Sequence, residues 1–248
     1  MTKRAGIVVA LPQELKTLTG RPLERGDCLE IFDNVFVCLS GIGKTSALKA
    51  AAKLIEEGAD ILISWGTAAS LDVKIAPGTI IIPESVILED NTEIDTDPSA
   101  HKIISELLLH ENAEIHCKLC ETSELLRDYK QKVNLGLQNR AIAADMESGA
   151  VAELSKKYDI PFVVIRTVSD SPEMILPPVL TKNMTVSGDI DIFQFIRSAL
   201  LNPRQWKTIY KLSRGFGKAK KSLKLASDKL FPGLIKELDT KEGALDNN

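Results

Sequence analysis

An α/β sheet with helices on both faces is the fold class this sequence predicts, on three observations. Short, β-branched, almost uncharged runs recur along the 248 residues, each the length of a buried strand. Stretches with apolar residues at helical spacing lie between them. Gly, Pro, Asn and Asp punctuate the boundaries, and no internal repeat is visible.

Residues 5–11 (AGIVVAL) read as the first buried strand. Residues 28–32 and 35–39 form a strand pair about an Asp33-Asn34 turn. A helix follows from 46 to about 57, with Leu48, Ala51, Ala52 and Ile55 on one face and Gly58 as its stop. Residues 60–64 make a second buried strand ending in Trp65-Gly66-Thr67-Ala68-Ala69-Ser70. After the Pro77-Gly78 turn, 79–86 is a strand, 91–99 a polar loop and 101–110 a helix. Residues 115–120 predict a strand and 123–137 a surface helix. Residues 141–144 run into Asp145-Met146-Glu147, where a helix to about Tyr158 opens. The last strong strand, 161–168, ends in Ser169-Asp170-Ser171-Pro172. A helix over 190–201 stops at Asn202-Pro203, which divides the chain into a body, 1–200, and an extension, 201–248.

Hydrophobic residues make up 44% of the chain and charged residues 26%, which excludes disordered, collagen-like and coiled-coil classes. The longest apolar runs fall far short of the roughly 20 residues of a membrane span. The first residues turn acidic too soon for a secretory signal, so a cytoplasmic location is expected. Net charge is −3, unevenly spread: residues 201–248 carry 11 Lys/Arg against 5 Asp/Glu, residues 1–200 carry 20 against 29. An acidic body with a basic tail points to an anionic partner for the tail. Cys28, Cys38, Cys117 and Cys120 are too few and scattered for a disulfide framework.

Ser40-Gly41-Ile42-Gly43-Lys44-Thr45 lies between a strand and a helix and invites a nucleoside-triphosphate reading. The phosphate-cradling motif needs a further Gly where this chain has Cys38. The turn, Gly43 included, can still offer N–H groups to a ligand hydroxyl or single phosphate. Cys117-Lys118-Leu119-Cys120 has redox or metal spacing beside His116, yet a strand would point the two thiols to opposite sides. No second ligand pair exists for zinc, so no metal is expected. His101 and His110 read as surface helix residues.

Three acidic positions carry more. Glu14 follows the first buried strand, Asp145 and Glu147 open a helix, and Asp170 follows the last buried strand. Side chains just past strand ends converge where open α/β sheets bind ligands. Carboxylates there hold sugar hydroxyls or move protons, although each could equally cap a helix.

The segments AGIVVALPQEL, SGIGK with SWGTAASL, and ADMESGAVAEL with PFVVIRTVSDSP resemble the nucleoside phosphorylase and nucleosidase superfamily in order and spacing over about residues 5–200. Within it the chain is most similar to the hopanoid-associated phosphorylases, implicated in cleaving adenine from adenosylhopane, through DMESGAVAEL, SDSPEMILPP and LLNPRQWKTIYKLSRG. It also resembles the methylthioadenosine/adenosylhomocysteine nucleosidases. The resemblance implies a central mixed sheet flanked by helices in three αβα layers, no cofactor beyond inorganic phosphate as a co-substrate, and a homo-oligomer.

It also implies roles. Glu147 holds the ribose 2′- and 3′-hydroxyls and Met146 packs on the sugar face. Asp170 protonates or hydrogen-bonds purine N7, supported by Ser169; acting as acid would require burial to raise its pKa. Glu14 matches the position that activates water. Thr67, with the amides around Gly66 and Ala68, forms the wall that meets phosphate or the nucleophile. The family's Gly-Ser-Ala-Gly-Gly is here Gly66-Thr67-Ala68-Ala69-Ser70, its phosphate Arg is replaced by Ser64, and the acid before its ribose Glu is shortened to Asp145. Glu14 without an Arg at 64 tilts toward hydrolysis, Lys44 could serve phosphate, and the nucleophile stays open.

In the tail, Arg204, Lys207, Lys211, Arg214, Lys218, Lys221 and Lys224 recur at spacings of three or four, with no acid between 203 and 225. Residues 203–225 thus predict a basic amphipathic helix, weakened by Gly215 and Gly217. It either touches the inner membrane face or packs on the body with a solvated basic edge. Nucleic acid is disfavoured for lack of an aromatic platform. The sequence reading is cleavage of an adenine nucleoside with a large apolar 5′ group, with Leu11, Met174, Leu176 and Pro177 as candidate lining. Rivals are a methylthioadenosine/adenosylhomocysteine nucleosidase, a non-catalytic nucleoside-binding or membrane-docking protein, and an ATPase.

Overall fold

The structure, a computed structural model, describes residues 3–175 and 206–232. Element order is β1 (Ala5–Val9), α1 (Pro12–Leu15), β2 (Cys28–Phe32), β3 (Val35–Leu39), α2 (Lys44–Glu56), β4 (Ile61–Ser70), β5 (Ile80–Ile81), β6 (Ser85–Ile87) and β7 (Glu93–Asp95). There follow α3 (Pro98–Leu107), β8 (Ala113–Glu114), β9 (Lys118–Glu121), α4 (Tyr129–Asn139), β10 (Ala143–Asp145), α5 (Ser148–Tyr158), β11 (Phe162–Asp170) and α6 (Trp206–Leu230).

The strands form one mixed sheet in the order β2-β3-β1-β4-β10-β9-β6-β7, with β11 paired to β4 and β5, and β8 to β5. Strand β4 is its axis. It runs parallel to β1 and β11, and its last residues, Ala69 and Ser70, pair antiparallel with β10. Alternation along each strand sends side chains to two cores. Ile7, Val9, Ile63, Trp65, Val163 and Ile165 face one side with Ile103 and Ile104 of α3 and Leu223, Ala226 and Leu230 of α6. Val8, Leu62, Phe162 and Val164 face the other with Ala47, Ala50 and Leu54 of α2 and Ala150 and Val151 of α5. The result is the three-layer α/β arrangement expected, with the sheet in the middle.

Several elements differ from the sequence reading. The strand expected to stop at Ser64 continues through the glycine-containing motif to Ser70, because β11 and β10 supply partners along its length. The expected strand 79–86 is two short pieces, and the polar loop at 91–99 contains β7, which pairs with β6. Helix α2 begins at Lys44 and buries Ala47, Ala50, Ala51 and Leu54, leaving Leu48, Ala52 and Ile55 on the flank of that stripe. Helix α4 starts at Tyr129 with Asp128 as its side-chain cap, later than residue 123. Cys28 and Cys38 are cross-strand partners joined as a disulfide. Hairpin register, not sequence spacing, brings them together. Cys117 and Cys120 are free, lie in different core clusters, and have thiols pushed up to about 12, chiefly by burial. His101 is half-buried, with Nε2 3.0 Å from Ile82 O and 3.1 Å from Ile115 O, and so ties α3 to the sheet.

Within the tail, Trp206–Leu230 is one helix, continuous across Gly215 and Gly217, and its Leu223, Ala226 and Leu230 share one hydrophobic cluster with the body across the boundary at 200. Gly215 is needed for close approach: a Cβ there would lie 2.2 Å from Ser169 O. Further along, Thr167 Oγ1 donates to Ala219 O at 3.1 Å and Ser222 Oγ to Gly78 O at 2.6 Å. Phe231 packs on Phe32 and Trp65 with ring centroids 5.9 and 5.5 Å away. Lys207, Lys211, Arg214, Lys218, Lys221 and Lys224 are exposed on the opposite side. Among the described residues no helix is long and apolar enough to cross a membrane. The expected helix at 190–201, Arg204, and the candidate lining residues Leu176 and Pro177 lie outside the described residues.

Candidate active site

A cavity of about 210 Å³ opens at the carboxyl ends of the parallel strands. Glu14 reaches it from α1, Thr67 and Ala68 from β4, Asp145 from the end of β10, Met146 and Glu147 from the turn into α5, and Ser169 and Asp170 from the end of β11. Leu11, Ile42, Leu125 and Leu126 supply an apolar part of the wall. Met174 does not line it; its carbonyl accepts from Lys132.

Glu14 is 2% exposed, and its oxygens are held from two elements. Thr67 donates both its backbone N–H and its hydroxyl to Oε1, each at 2.8 Å, while Leu11 N–H donates to Oε2 at 3.1 Å. Burial pushes the Glu14 carboxyl up, against the lowering effects of the Arg166 charge and these hydrogen bonds. The Thr67 hydroxyl is therefore spent on Glu14, which makes Thr67 a support for that carboxylate. Gly66 does not line the cavity. A Cβ on Gly66 would fall 2.3 Å from Arg166 Nη1 and 2.9 Å from Glu14 Oε1, so its lack of a side chain lets these two groups meet over β4.

Arg166 is a group the sequence reading missed. It is 1% exposed and stands on β11 opposite Gly66. Its Nε lies 2.6 Å from Asp145 Oδ2, its Nη2 3.6 Å from Glu147 Oε2, and Nη2 donates to Ser64 Oγ at 2.8 Å. Nη1 is buried with no hydrogen-bond partner in the protein. Ser64, where relatives were expected to carry a phosphate Arg, is thus a buried hydroxyl under a cation supplied by the neighbouring strand. Asp145 accepts the N–H groups of Glu147 and Ser148 at 3.1 and 2.9 Å, capping α5 as well as pairing with Arg166. Glu147 Oε1 accepts from Gly43 N–H at 2.8 Å, so the amide expected to meet a ligand is taken up in positioning Glu147. Burial raises the Glu147 carboxyl, Arg166 opposes this, and Asp145 adds to it.

Lys44, offered for phosphate or ATP, is turned away from the cavity. Its Nζ lies 2.6 Å from Glu153 and 3.2 Å from Glu121. Asp170 has a partner that no motif announced: Lys132 of α4, whose ammonium bonds Asp170 Oδ2, while the Ser169 hydroxyl lies 2.7 Å from Oδ1. Asp170 is therefore not an isolated carboxylate at the strand end: a buried ammonium stands directly against it. Among the described residues no group of three His, Cys, Asp or Glu side chains could hold a metal ion.

The phosphorylase superfamily model matches residues 4–177, from β1 through every cavity-lining segment just described. The chain belongs to the phosphorylase superfamily. Superfamily members similar to it include the 5′-methylthioadenosine/S-adenosylhomocysteine nucleosidase of Buchnera aphidicola subsp. Baizongia pistaciae, 29% identical over 202 residues, covering 69% of this chain and 79% of that protein. Among solved structures, the nucleosidase of that name from Helicobacter pylori, bound to butyl-thio-DADMe-Immucillin-A, superposes with a TM-score of 0.66 at 17% identity. It covers 93% of this chain and all of that one. Futalosine hydrolase from Helicobacter pylori gives 0.65 at 17% identity, covering 93% of this chain and 99% of that one. These superpositions show a shared fold.

Proposed function

We propose that this superfamily member hydrolyses the N-glycosidic bond of an adenine nucleoside. The observation that carries the reading is the charge of the site. Glu14, Asp145 and Glu147 gather around the single guanidinium of Arg166, so the set holds more carboxylates than cations. Bond cleavage passes through a sugar with oxocarbenium character, and an excess of fixed negative charge lowers the energy of that cation. The same excess repels phosphate, which favours water as the nucleophile.

In this reading Glu147 accepts the 2′- and 3′-hydroxyls and Met146 packs on the ribose. A water taking the vacant donor of Arg166 Nη1 lies beside Glu14. Glu14 accepts its proton as the oxygen bonds C1′, and the electron pair of the C1′–N9 bond leaves with the base. Asp170 faces N7 and accepts the hydrogen bond of the proton that N7 takes from a cavity water; the proton held by Glu14 passes to the hydroxide left behind, so adenine departs neutral and Glu14 is restored. Burial that raises the Glu14 carboxyl makes it a stronger base than an ordinary carboxylate, which suits it to accept the proton of the attacking water. The relatives named for methylthioadenosine and adenosylhomocysteine support the adenine assignment.

For the 5′ group we assign a large apolar substituent, as in adenosylhopane, on the wall of Leu11, Ile42, Leu125 and Leu126 and on the sequence motifs above. Released base is measured over a panel of adenine nucleosides with 5′ groups from hydroxyl through methylthio to long alkyl, with and without phosphate. Phosphate-independent adenine release with kcat/KM rising along the alkyl series is the expected result. Strict dependence on phosphate overturns the hydrolytic reading, and a preference for the 5′-methylthio compound favours the methylthioadenosine nucleosidase alternative. The exposed basic face of α6 supports a second contact, with an anionic membrane surface, suited to a lipid-borne substrate.

A further inference from the structure

Lys132 is 0% exposed, on a helix whose other polar residues mostly face solvent. A buried lysine is uncommon unless paired. Its ammonium has three N–H donors, and three acceptors meet it: Asp170 Oδ2, Ser171 O at 3.1 Å and Met174 O at 3.1 Å. One side chain of α4 thus holds both the carboxylate at the end of β11 and the chain segment that leaves it. With Ser169 on Oδ1, both oxygens of Asp170 already accept a donor, one of them charged.

That arrangement fixes what a purine meets. A 6-aminopurine offers an acceptor at N7 and an N–H donor at N6 along one edge, whereas a 6-oxopurine offers acceptors at both N7 and O6. A carboxylate whose two oxygens already accept donors presents acceptor lone pairs to the base, so it accepts from N6–H and from a protonated N7 and repels O6. We infer that Lys132 is a specificity-determining positioning residue, which keeps Asp170 a hydrogen-bond acceptor and so selects 6-aminopurine nucleosides over their 6-oxo counterparts. The inference rests on the nucleosidase reading above. Without the ammonium, Asp170 loses its anchor to 171–174 and one of its two fixed donors; it is then free to turn within the cavity and no longer presents a fixed acceptor edge to the base.

The test compares adenosine and inosine carrying the same 5′ group, in wild type, Lys132→Met and Lys132→Arg. A site built to bond one polar edge rejects the mismatched edge strongly, so wild type is expected to favour adenosine by on the order of 100-fold or more in kcat/KM. Lys132→Met is expected to narrow that ratio at least about tenfold, and Lys132→Arg to retain more of it. Equal losses on both nucleosides would show a purely structural role and overturn the inference, as would an unchanged ratio. Because Lys132→Met may unfold, wild type is also assayed with N6,N6-dimethyladenosine, which keeps N7 and lacks the N6–H donor. Turnover as fast as adenosine overturns the acceptor role without any variant. Wild type that cleaves none of these nucleosides defeats the nucleosidase reading itself, whereas cleavage of adenosine and inosine at equal rates defeats only the present inference.

Discussion

At the scale of single residues, the cavity is defined by the buried carboxyls that line it. Glu14 and Glu147 are both buried carboxyls held above the ordinary value of 4.5. The sign of their effect on stability follows from linkage. The unfolded chain gives up each proton at lower pH than the folded one, so folding stability falls as pH rises above about 4.5 through the folded value. Glu14→Gln removes one such group. Its Tm is expected to exceed that of wild type at pH 8, with the difference shrinking toward zero near pH 4; a constant offset would show that packing, not ionisation, sets it. Loss of the base is expected to lower kcat by about 10²–10⁴. The position of Glu14 after the first strand and of Asp170 after the last was legible in the sequence, because chain order alone places residues at strand ends. Arg166 and Lys132 were not. Arg166 sits inside an apolar strand and Lys132 inside a polar helix, and only their partners across the fold mark them as more than a strand charge and a surface lysine.

At the scale of elements, α6 shows how one helix satisfies two demands. Gly215, Ala219, Leu223, Ala226, Ser227 and Leu230 recur on the face that covers the sheet, and Lys207, Lys211, Arg214, Lys218, Lys221 and Lys224 are exposed on the other side. The two glycines near its middle are unlike. A Cβ at Gly217 meets nothing within 4 Å, so Gly217→Ala is expected to stabilise the protein by up to about 1 kcal/mol through helix propensity. Gly215→Ala puts a Cβ against Ser169 O and is expected to cost about 1–3 kcal/mol. It should also weaken catalysis, since Ser169 supports Asp170. Urea unfolding of both variants with kcat/KM measured alongside checks the pair, and equal shifts would contradict the packing described. The sequence showed an amphipathic helix here. Which face was covered needed the sheet, since lysine spacing is the same whether the opposite face meets lipid or β11.

At the scale of the whole molecule, charge and shape are separated. The acidic cavity lies at the strand ends, while six exposed cations line the outer side of α6. Each basic residue near an anionic bilayer is worth on the order of 1 kcal/mol, so co-sedimentation with phosphatidylglycerol vesicles at low salt is expected, fading in high salt and absent with phosphatidylcholine. The full chain carrying Lys218→Glu, Lys221→Glu and Lys224→Glu is the control. Truncation at 200 would remove core residues as well as charge. Equal sedimentation of wild type and the triple variant would refute the contact.

By itself the sequence determined the fold class, the hairpin at 28–39, the strands at the two ends of the body and the order in which acidic residues follow them. Hydrophobic periodicity is a local property, and a chain that alternates strand with helix has few ways to bury both. Tertiary structure decided the rest: that β4 continues past its glycine, that a helix from the far end of the chain closes the sheet, and that Arg166 and Lys132 stand against carboxylates 21 and 38 residues away. Such pairings belong to strand register and helix docking, where a charge gains its meaning from neighbours that no local window of sequence contains.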